Sequence, residues 1–257
     1  MDTPIIILIV TLIVGIGGST FWLQKSFRTA PWLPLSSNYR PILQRHVKYY
    51  RLLDKPHQKR FEGRCQVFIN LSSFKAAGFS YVSDEMKILI AAAYVQFTFG
   101  WNKPPRPRFK QIWIYPDSFY EPIFKEQYLW VRERPDTLEL SWEKFLRGFK
   151  ESDIKGNAGL HHLFLCLPLE KIMINEQKPQ VIKVIREWRN HIQQLVHDPL
   201  LSRASIFRWN PQINPRELEA QVLENFFERP DDLQQFNPEL YQLLEVILKQ
   251  HPIKTSA

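Results

Sequence analysis

Ser83–Val95 reads SDEMKILIAAAYV, and this segment decides the fold because it is the one best suited to the centre of a core. Ser83 can cap the first backbone N–H groups of a helix. Asp84 and Glu85 then fall in the first helical turn, where acidic residues are favoured. The residues that follow are apolar, with polar side chains on only one flank. The pattern predicts a central buried helix that carries no chemistry of its own.

Helical and extended patterns surround this segment. Phe109–Tyr115 alternates in polarity as a strand does, and two shorter strands are predicted at Tyr128–Val131 and Thr137–Ser141. Amphipathic helices are predicted where apolar residues recur at three and four positions, which is the case in 42–53, 57–71, 180–196, 215–227 and 238–249. A small sheet packed against helices is an α+β domain.

The N-terminal segment Pro4–Leu23 carries no charge and is about as long as the roughly 20 residues of a membrane-spanning helix. A cleaved signal peptide is the alternative, but only Asp2 precedes the apolar run, where a basic region is required. The nearby positive charges all follow the run, at Lys25, Arg28, Arg40, Arg45 and Lys48. The positive-inside rule then places the C-terminal part in the cytoplasm. We predict a single-pass anchor at 1–28, a linker at 29–41 and a domain at 42–257, with folded structure beginning near Tyr39.

The formal net charge of +8 raises the question of a nucleic-acid partner. The densest basic stretch with an aromatic residue is Lys103–Lys110 (KPPRPRFK), but no nucleic-acid-binding motif accompanies it. A cytoplasmic domain beside an anionic leaflet gains from positive charge without any specific ligand. We therefore expect the membrane as a partner and no specific nucleic acid. Association of Lys103–Lys110 with anionic lipid or nucleic acid ranks last among the functional hypotheses.

Several common kinds of site are missing from the sequence. Cys65 and Cys166 are about a hundred residues apart, which is neither a zinc-finger spacing nor a disulfide framework of a small domain. Both are expected to be reduced core thiols. No glycine-rich phosphate-binding loop is present, which argues against nucleotide use.

Gly156–Cys166 reads GNAGLHHLFLC, and this is the segment in which a catalytic zinc motif would lie. A zinc hydrolase of the gluzincin kind needs two histidines at positions i and i+4 of a helix, because these share a face and can bind one metal ion. It also needs a glutamate between them as general base. Here His161 is followed by His162 and, at i+4, by Leu165. A leucine cannot replace an imidazole ligand in any rotamer.

The same segment resembles that of the MtfA-like zinc-dependent peptidase family, which has the form GxNxxxHExxH and, in one variant, GNxxLHE. The resemblance covers about residues 40–252. Other matching stretches are Ser83–Ala92 (SDEMKILIAA), Tyr115–Phe119 (YPDSF), Leu140–Trp142 (LSW), Glu224–Pro230 (ENFFERP) and Pro238–Tyr241 (PELY). The resemblance implies a mostly helical, gluzincin-like zinc-peptidase domain with a small sheet.

The resemblance also assigns roles to single positions. His161 falls on the first metal ligand, and Glu217, in the stretch NPRE, falls on the third. The family's catalytic glutamate, second histidine and active-site tyrosine are replaced by His162, Leu165 and Asn210. The resemblance therefore implies a degenerate site with no catalytic residue, no cofactor and at most weak zinc binding by a vestigial His161 and Glu217.

Other interpretations of these residues stay open. His162 could stand in as a ligand, although neighbouring residues on a helix point about 100° apart. His161 and His162 could simply be partly buried polar residues that bond to the backbone or to Glu217, and Glu217 could be a helix-start acid favoured by the dipole. Glu187 and His191, at i and i+4, are expected to form a surface pair rather than a metal site.

These features lead to two expected functions. The first is a membrane-anchored pseudopeptidase that faces the cytoplasm and binds an unknown protein partner through the old substrate cleft or the outer face. Better-known relatives are described as binding and inactivating a transcriptional repressor of glucose uptake, so the resemblance implies regulation by analogy alone. The alternative is a working zinc-dependent metallopeptidase with an atypical site built on His161 and Glu217, with or without His162.

Overall fold

The computed structural model describes residues 34–102, 107, 109–117, 119–121, 126–128, 131–134, 136–150, 157–167, 179–208, 211 and 213–252. Its α-helices are α1 (Tyr39–His46), α2 (Lys48–Leu52), α3 (Lys55–Leu71), α4 (Asp84–Thr98), α5 (Trp142–Lys150), α6 (Ala158–Cys166), α7 (Pro179–Val196), α8 (Pro215–Glu228), α9 (Pro230–Phe236) and α10 (Pro238–Leu248). A 3-10 helix, Pro199–Arg203, follows α7. The strands are β1 (Ser73–Ala76), β2 (Gln111–Tyr115), β3 (Phe119–Glu121), β4 (Glu126–Tyr128), β5 (Val131–Arg134) and β6 (Thr137–Ser141).

Helix α4 is the buried centre that its sequence predicts. The Ser83 hydroxyl oxygen accepts a hydrogen bond from the backbone N–H of Met86 at 3.2 Å. Asp84 and Glu85 occupy the first turn. All residues from 88 to 98 are buried, including the polar Gln96 and Thr98. The predicted cap and the predicted burial are confirmed.

The first predicted helix, 42–53, is wrong in its extent. Two helices, α1 and α2, occupy this stretch, and the extended backbone of Val47 separates them. Val47 and Tyr50 are both buried in this arrangement. Helix α1 also begins at Tyr39, inside the predicted linker 29–41, since Pro41 is tolerated in a first helical turn.

The main sheet has the strand order β1-β2-β6-β5. Strands β1, β2 and β6 are parallel, while β5 pairs with β6 in antiparallel fashion. Helix α4 lies in the connection between β1 and β2, as parallel neighbours require a crossover. Strands β3 and β4 form a separate antiparallel pair. Helices thus predominate over a small sheet, and the predicted α+β class is confirmed.

Two strand predictions need correction. The sequence pattern gave no sign of β1, whose four residues are too short to display alternation. Tyr128–Val131 was predicted as one strand, whereas Tyr128 ends β4 and Val131 begins β5. A short stretch rich in strand-forming residues does not reveal where one strand ends and the next begins.

The predicted membrane span Pro4–Leu23 and most of the predicted linker lie outside the described residues. Among the residues that the structure does describe, no helix is both long enough and apolar enough to cross a membrane. The single-pass anchor therefore stays a prediction. Most of Lys103–Lys110 also lies outside the described residues.

The C-terminal end of α4 is buried, so its free carbonyl groups need partners inside the protein. Arg64 of α3 supplies them, because its guanidinium donates to the carbonyl oxygens of Phe99 at 2.7 Å, Trp101 at 2.8 Å and Thr98 at 3.4 Å. Arg60 adds a second donor to Phe99 at 2.7 Å. Burial, together with the nearby Arg60 charge, lowers the pKa of Arg64 to about 10, which leaves the guanidinium protonated at neutral pH.

The end of helix α10 packs against the residues that follow α4. A Cβ atom on Gly100 would lie 2.1 Å from the carbonyl oxygen of Leu248, so only glycine allows this approach. The indole N–H of Trp101 donates to the carbonyl oxygen of Ile247 at 2.8 Å. The side-chain amide of Gln250 donates to two carbonyl oxygens of α4, those of Gln96 and Phe97.

A second buried polar contact joins α1, α2 and α3. The Glu62 carboxylate accepts hydrogen bonds from the Arg40 guanidinium at 2.9 and 2.7 Å and from the Tyr50 hydroxyl at 2.5 Å. Burial alone would raise the pKa of Glu62, but the hydrogen bonds from Arg40 and Tyr50 outweigh it and hold that pKa below its usual value. The first helices are thereby tied to α3 through one ionised carboxylate.

We predict that Arg64→Met lowers the free energy of unfolding by about 3 kcal/mol, because buried carbonyl groups lose a charged donor. Arg51→Met is the matched control, since Arg51 also donates to helix carbonyls, those of Gln44 and Arg45, but at an exposed site. Its effect should stay within about 0.5 kcal/mol. Urea unfolding of the purified full-length protein measures both, and equal effects would contradict the assigned role of Arg64.

We also predict that Glu62→Gln costs about 2 kcal/mol of stability at neutral pH. Because the pKa of Glu62 is lowered by folding, its contribution is complete above the unfolded value of about 4.3 and is lost as the pH falls through the folded value. The difference between the two proteins should therefore shrink below about pH 4.

The control for this prediction is Glu143→Gln, which removes an exposed pair with Arg147 at 2.6 Å. An exposed pair of this kind contributes at most about 0.5 kcal/mol. Unfolding curves recorded across the pH range compare the variants. A Glu62→Gln effect that persisted unchanged in acid would show that the ionised carboxylate is not what stabilises the contact.

Candidate functional site

Helix α6 contains the motif residues, and its start is fixed by neighbouring helices. The Asn157 side chain caps α6 by accepting from the backbone N–H of Leu160 at 3.1 Å. Its amide nitrogen donates to Glu228 of α8 at 3.1 Å. Against α5, a Cβ atom on Gly159 would lie 2.9 Å from the carbonyl oxygen of Phe145. The motif residues are therefore held by contacts with both α5 and α8.

His161 lies between two carboxylates of α8. Its Nε2 atom is 3.0 Å from Glu217 Oε1, and its Nδ1 atom is 3.3 Å from Glu224 Oε2. The side chains of His161 and Glu224 are 5% and 2% exposed, while that of Glu217 is 30% exposed. The Nδ1 contact is an ionic contact rather than a well-aligned hydrogen bond. The two carboxylates thus hold opposite edges of one buried imidazole.

The charges of this cluster shift the titration of its members. Burial by itself would lower the pKa of His161, but hydrogen bonds and charge from Glu217 and Glu224 outweigh it and raise that pKa. The hydrogen bond from His161 is the main cause that lowers the pKa of Glu217 to about 2, against the opposing effect of burial. These opposite shifts favour an ion pair between His161 and Glu217.

Arg208 and Gln221 extend the cluster. The Arg208 guanidinium contacts Glu224 with Nη2–Oε2 at 2.5 Å and Nη1–Oε1 at 3.2 Å. Gln221 accepts from the backbone N–H of Arg208 at 2.7 Å and donates to Glu217 Oε1 at 3.2 Å. The permanent positive charge of Arg208 therefore lies beside Glu224, the most deeply buried carboxylate of the cluster. The Gln221 side chain contacts both Arg208 and Glu217, and so connects the two acidic residues.

Sequence reasoning missed Glu224, Gln221 and Arg208 as members of the site. A signal existed for the first two, because Glu217, Gln221 and Glu224 are spaced i, i+4 and i+7 and so share a helical face. Polar residues repeated along an otherwise buried helix indicate an internal polar contact. Arg208 lies before α8 and belongs to no periodic pattern, so only the fold reveals it.

Leu165 stands where the resemblance to MtfA-like peptidases predicts a second histidine ligand. Its side chain is partly buried and packs against the hydrophobic core. Its backbone carbonyl oxygen accepts hydrogen bonds from the Arg216 guanidinium, with Nε at 2.7 Å and Nη2 also in contact. At this position the site therefore offers an apolar side chain, and a cation binds the backbone beside it.

The other predicted residues have mixed outcomes. The His162 side chain, the Cys166 side chain and Asn210 lie outside what the structure describes, so their assigned roles stay predictions. Glu187 pairs with Lys183 at 3.8 Å, not with His191 as expected, because a lysine also lies one turn away on α7. Cys65 is a buried free thiol, as predicted.

A family model described as glucose-regulated metallo-peptidase M90 matches residues 21–249. The chain belongs to the M90 metallopeptidase family. It is also 24% identical over 260 residues to the uncharacterized protein slr2042 of Synechocystis sp., an alignment that covers 92% of this chain and 94% of that protein. The resemblance to MtfA-like peptidases is confirmed by this M90 membership.

An M90 metallopeptidase implies a bound zinc ion, so the donor atoms can be tested for fit. Two ligands that each lie about 2.0–2.2 Å from one tetrahedral zinc ion are about 3.3 Å apart. The 3.0 Å between His161 Nε2 and Glu217 Oε1 is compatible with such a pair. Glu224 faces the other edge of the ring, and in the described ranges no three His, Cys, Asp or Glu residues converge on one point. The described residues do not fit a three-ligand catalytic site.

We predict that His161→Leu lowers the free energy of unfolding by about 3 kcal/mol, because it leaves the buried Glu224 with one cationic neighbour fewer. His191→Leu, which changes a half-buried histidine on α7, should stay within about 1 kcal/mol. Urea unfolding of both full-length variants is the measurement. Equal losses would mean that the carboxylate cluster does not stabilise the domain.

Proposed function

We propose that this M90 family member is a membrane-anchored pseudopeptidase that acts by binding another protein. The observation that carries the proposal is that a leucine, Leu165, stands where the resemblance to MtfA-like peptidases predicts a second histidine ligand. There, Leu165 packs against the core, and Arg216 binds its carbonyl group. Catalytic zinc sites use three protein ligands, of which His161 and Glu217 supply two.

The sequence supports the same conclusion at the other catalytic positions. His162 replaces the family's glutamate base, and Asn210 replaces its tyrosine, which is a hydrogen-bond donor to the transition state. A two-ligand site binds zinc weakly and loses it to competing chelators. The proposed protein therefore hydrolyses peptides poorly or not at all.

The polar cluster explains how the domain can stay folded without a bound metal ion. Arg208 supplies a permanent positive charge to Glu224, and Gln221 connects Arg208 to Glu217. The buried carboxylate is thus balanced by protein groups and needs no metal ion for that purpose. Such a domain retains the outer surface and the old substrate cleft, which are available for protein binding.

The proposed location is the membrane, with the domain on the cytoplasmic side. Its support is the uncharged run Pro4–Leu23 and the positive charges that follow it. Regulation is the proposed role of the binding activity, by analogy with the MtfA-like relatives alone. The chemistry of the site does not name the partner, because a fold alone does not transmit one.

A working metallopeptidase with an atypical site is the second candidate. The observation in its favour is that His161 keeps Nε2 beside Glu217 while Glu224 holds Nδ1. Metal-binding histidines commonly have a carboxylate on the second ring nitrogen, which orients the ring. This candidate requires a third ligand, for which the His162 side chain is the nearest residue in sequence.

We predict that the purified full-length protein contains little zinc, whereas the Leu165→His, His162→Glu double variant contains about one zinc ion per chain. The double variant restores the spacing that lets two histidines and Glu217 bind one metal. Elemental analysis after zinc loading and desalting is the measurement. A casein-cleavage assay on the same samples reports whether activity returns with the metal.

The matched control adds Glu217→Gln to the double variant. If zinc binds at the restored site, this change should remove most of it, because an amide is a much poorer zinc ligand than a carboxylate. Stoichiometric zinc in the unmodified protein, together with casein cleavage, would overturn the pseudopeptidase and support the second candidate.

A further inference from the structure

The first helices carry an excess of positive charge on their exposed side. We define the basic face as five exposed residues, Arg45, Lys48, Arg51, Lys55 and Lys59. Asp54 is the one acidic residue in the sequence 45–59. Its carboxylate already caps α3 and contacts His57 Nδ1 at 2.6 Å. Within this stretch of sequence the five cations are thus accompanied by a single acid, which has other partners.

The members of the basic face do not form ion pairs within the described part of the chain. Exposed cations elsewhere do, as in the pairs Arg147–Glu143, Lys183–Glu187, Arg229–Asp232 and Lys110–Asp136. Arg51 instead donates to the backbone carbonyls of Gln44 and Arg45, in the last turn of α1. The positive charges of the basic face repel one another unless an external anion neutralises them.

The basic face runs along three consecutive helices, with Arg45 in α1, Lys48 and Arg51 in α2, and Lys55 and Lys59 in α3. Partial burial is the main cause that lowers the pKa of His46, and the charge of Glu85 opposes it. The positive charges of Arg45, Lys150 and Arg51 lower this pKa further, so all three cations lie near His46. At the other end, Lys55 donates to Gln58 at 3.4 Å on the first turn of α3. Leu52, 38% exposed, adds an apolar side chain to the same segment.

We infer that the basic face is the surface on which the domain contacts an anionic lipid bilayer. Lysine and arginine side chains are attracted to anionic headgroups, and an exposed leucine suits the boundary of the lipid. The inference rests on the proposed anchor. Residues 24–38 separate the predicted span from α1, and about 15 residues reach at most roughly 55 Å even when fully extended. The proposed anchor thus keeps the basic face, which begins in α1, within reach of the bilayer.

A nucleic acid is the competing polyanion, and the aromatic residues argue against it. Proteins that bind single strands without sequence preference offer exposed aromatic rings on which bases stack. In this segment Tyr49 and Tyr50 are buried, and their hydroxyl groups bond to Gln250 and Glu62 inside the protein. The basic face therefore offers charge without a stacking surface.

Amine labelling of the native lysines tests the inference in the full-length protein. The protein is reconstituted in vesicles of phosphatidylcholine alone or with added phosphatidylglycerol, and the labelling rate of each lysine is read by mass spectrometry. Lys48, Lys55 and Lys59 should react about fivefold more slowly in the anionic vesicles at low salt. High salt should restore their rates. The exposed Lys75 and Lys183 serve as internal references and should not change.

Two variants sharpen the test. Arg45→Glu should abolish most of the protection of the three lysines, whereas Arg186→Glu, the same charge change on an exposed position of α7, should leave it intact. Equal labelling in both vesicle types would overturn the inference. Protection by added duplex DNA but not by phosphatidylglycerol would overturn it in favour of nucleic acid. Flotation with neutral vesicles reports the anchor separately, so failure of the anchor and failure of the basic face are distinguishable.

Discussion

Helix α4 is buried from residue 88 to its end, so the carbonyl groups that it leaves unpaired at its C-terminus cannot reach water. Arg64, Arg60 and Gln250 provide donors to those groups from two distant parts of the chain. Each donor fixes the element that carries it. The placement of α3 on one side and of the C-terminal residues on the other follows from the need to hydrogen-bond one buried helix end.

At the candidate site, the contacts that position helix α6 are separate from the candidate metal ligands. Gly159 and Asn157 position α6 against its neighbours, and neither contact involves a metal donor. The charges of His161, Glu224 and Arg208 offset one another within the protein. A leucine at position 165, packed against the core, is compatible with this arrangement of helices. A fold and the chemistry of its site can therefore vary independently.

The sequence carried enough information for α4 and for the meeting of His161 with Glu217, but not for strand β1, the break at Val47 or the contact of Arg208. The cap at Ser83 and the apolar run after it are local features, so they could be read directly. The resemblance to a family placed His161 and Glu217 at one site although they lie far apart in the chain. Strand β1 and the break at Val47 depend on tertiary pairing and burial, which periodicity does not report. Arg208 became visible only through its contact with Glu224.

The closeness of Gly100 to Leu248 has a consequence for how the protein is made. Translation delivers the N-terminal segment first and the residues after α10 last, while domains fold during synthesis as their parts emerge. The buried end of α4 cannot be completed until residues near Gln250 have left the ribosome. The nascent domain therefore keeps the end of its central helix without those donors until this late stage of synthesis, so the core cannot be completed by the N-terminal helices alone.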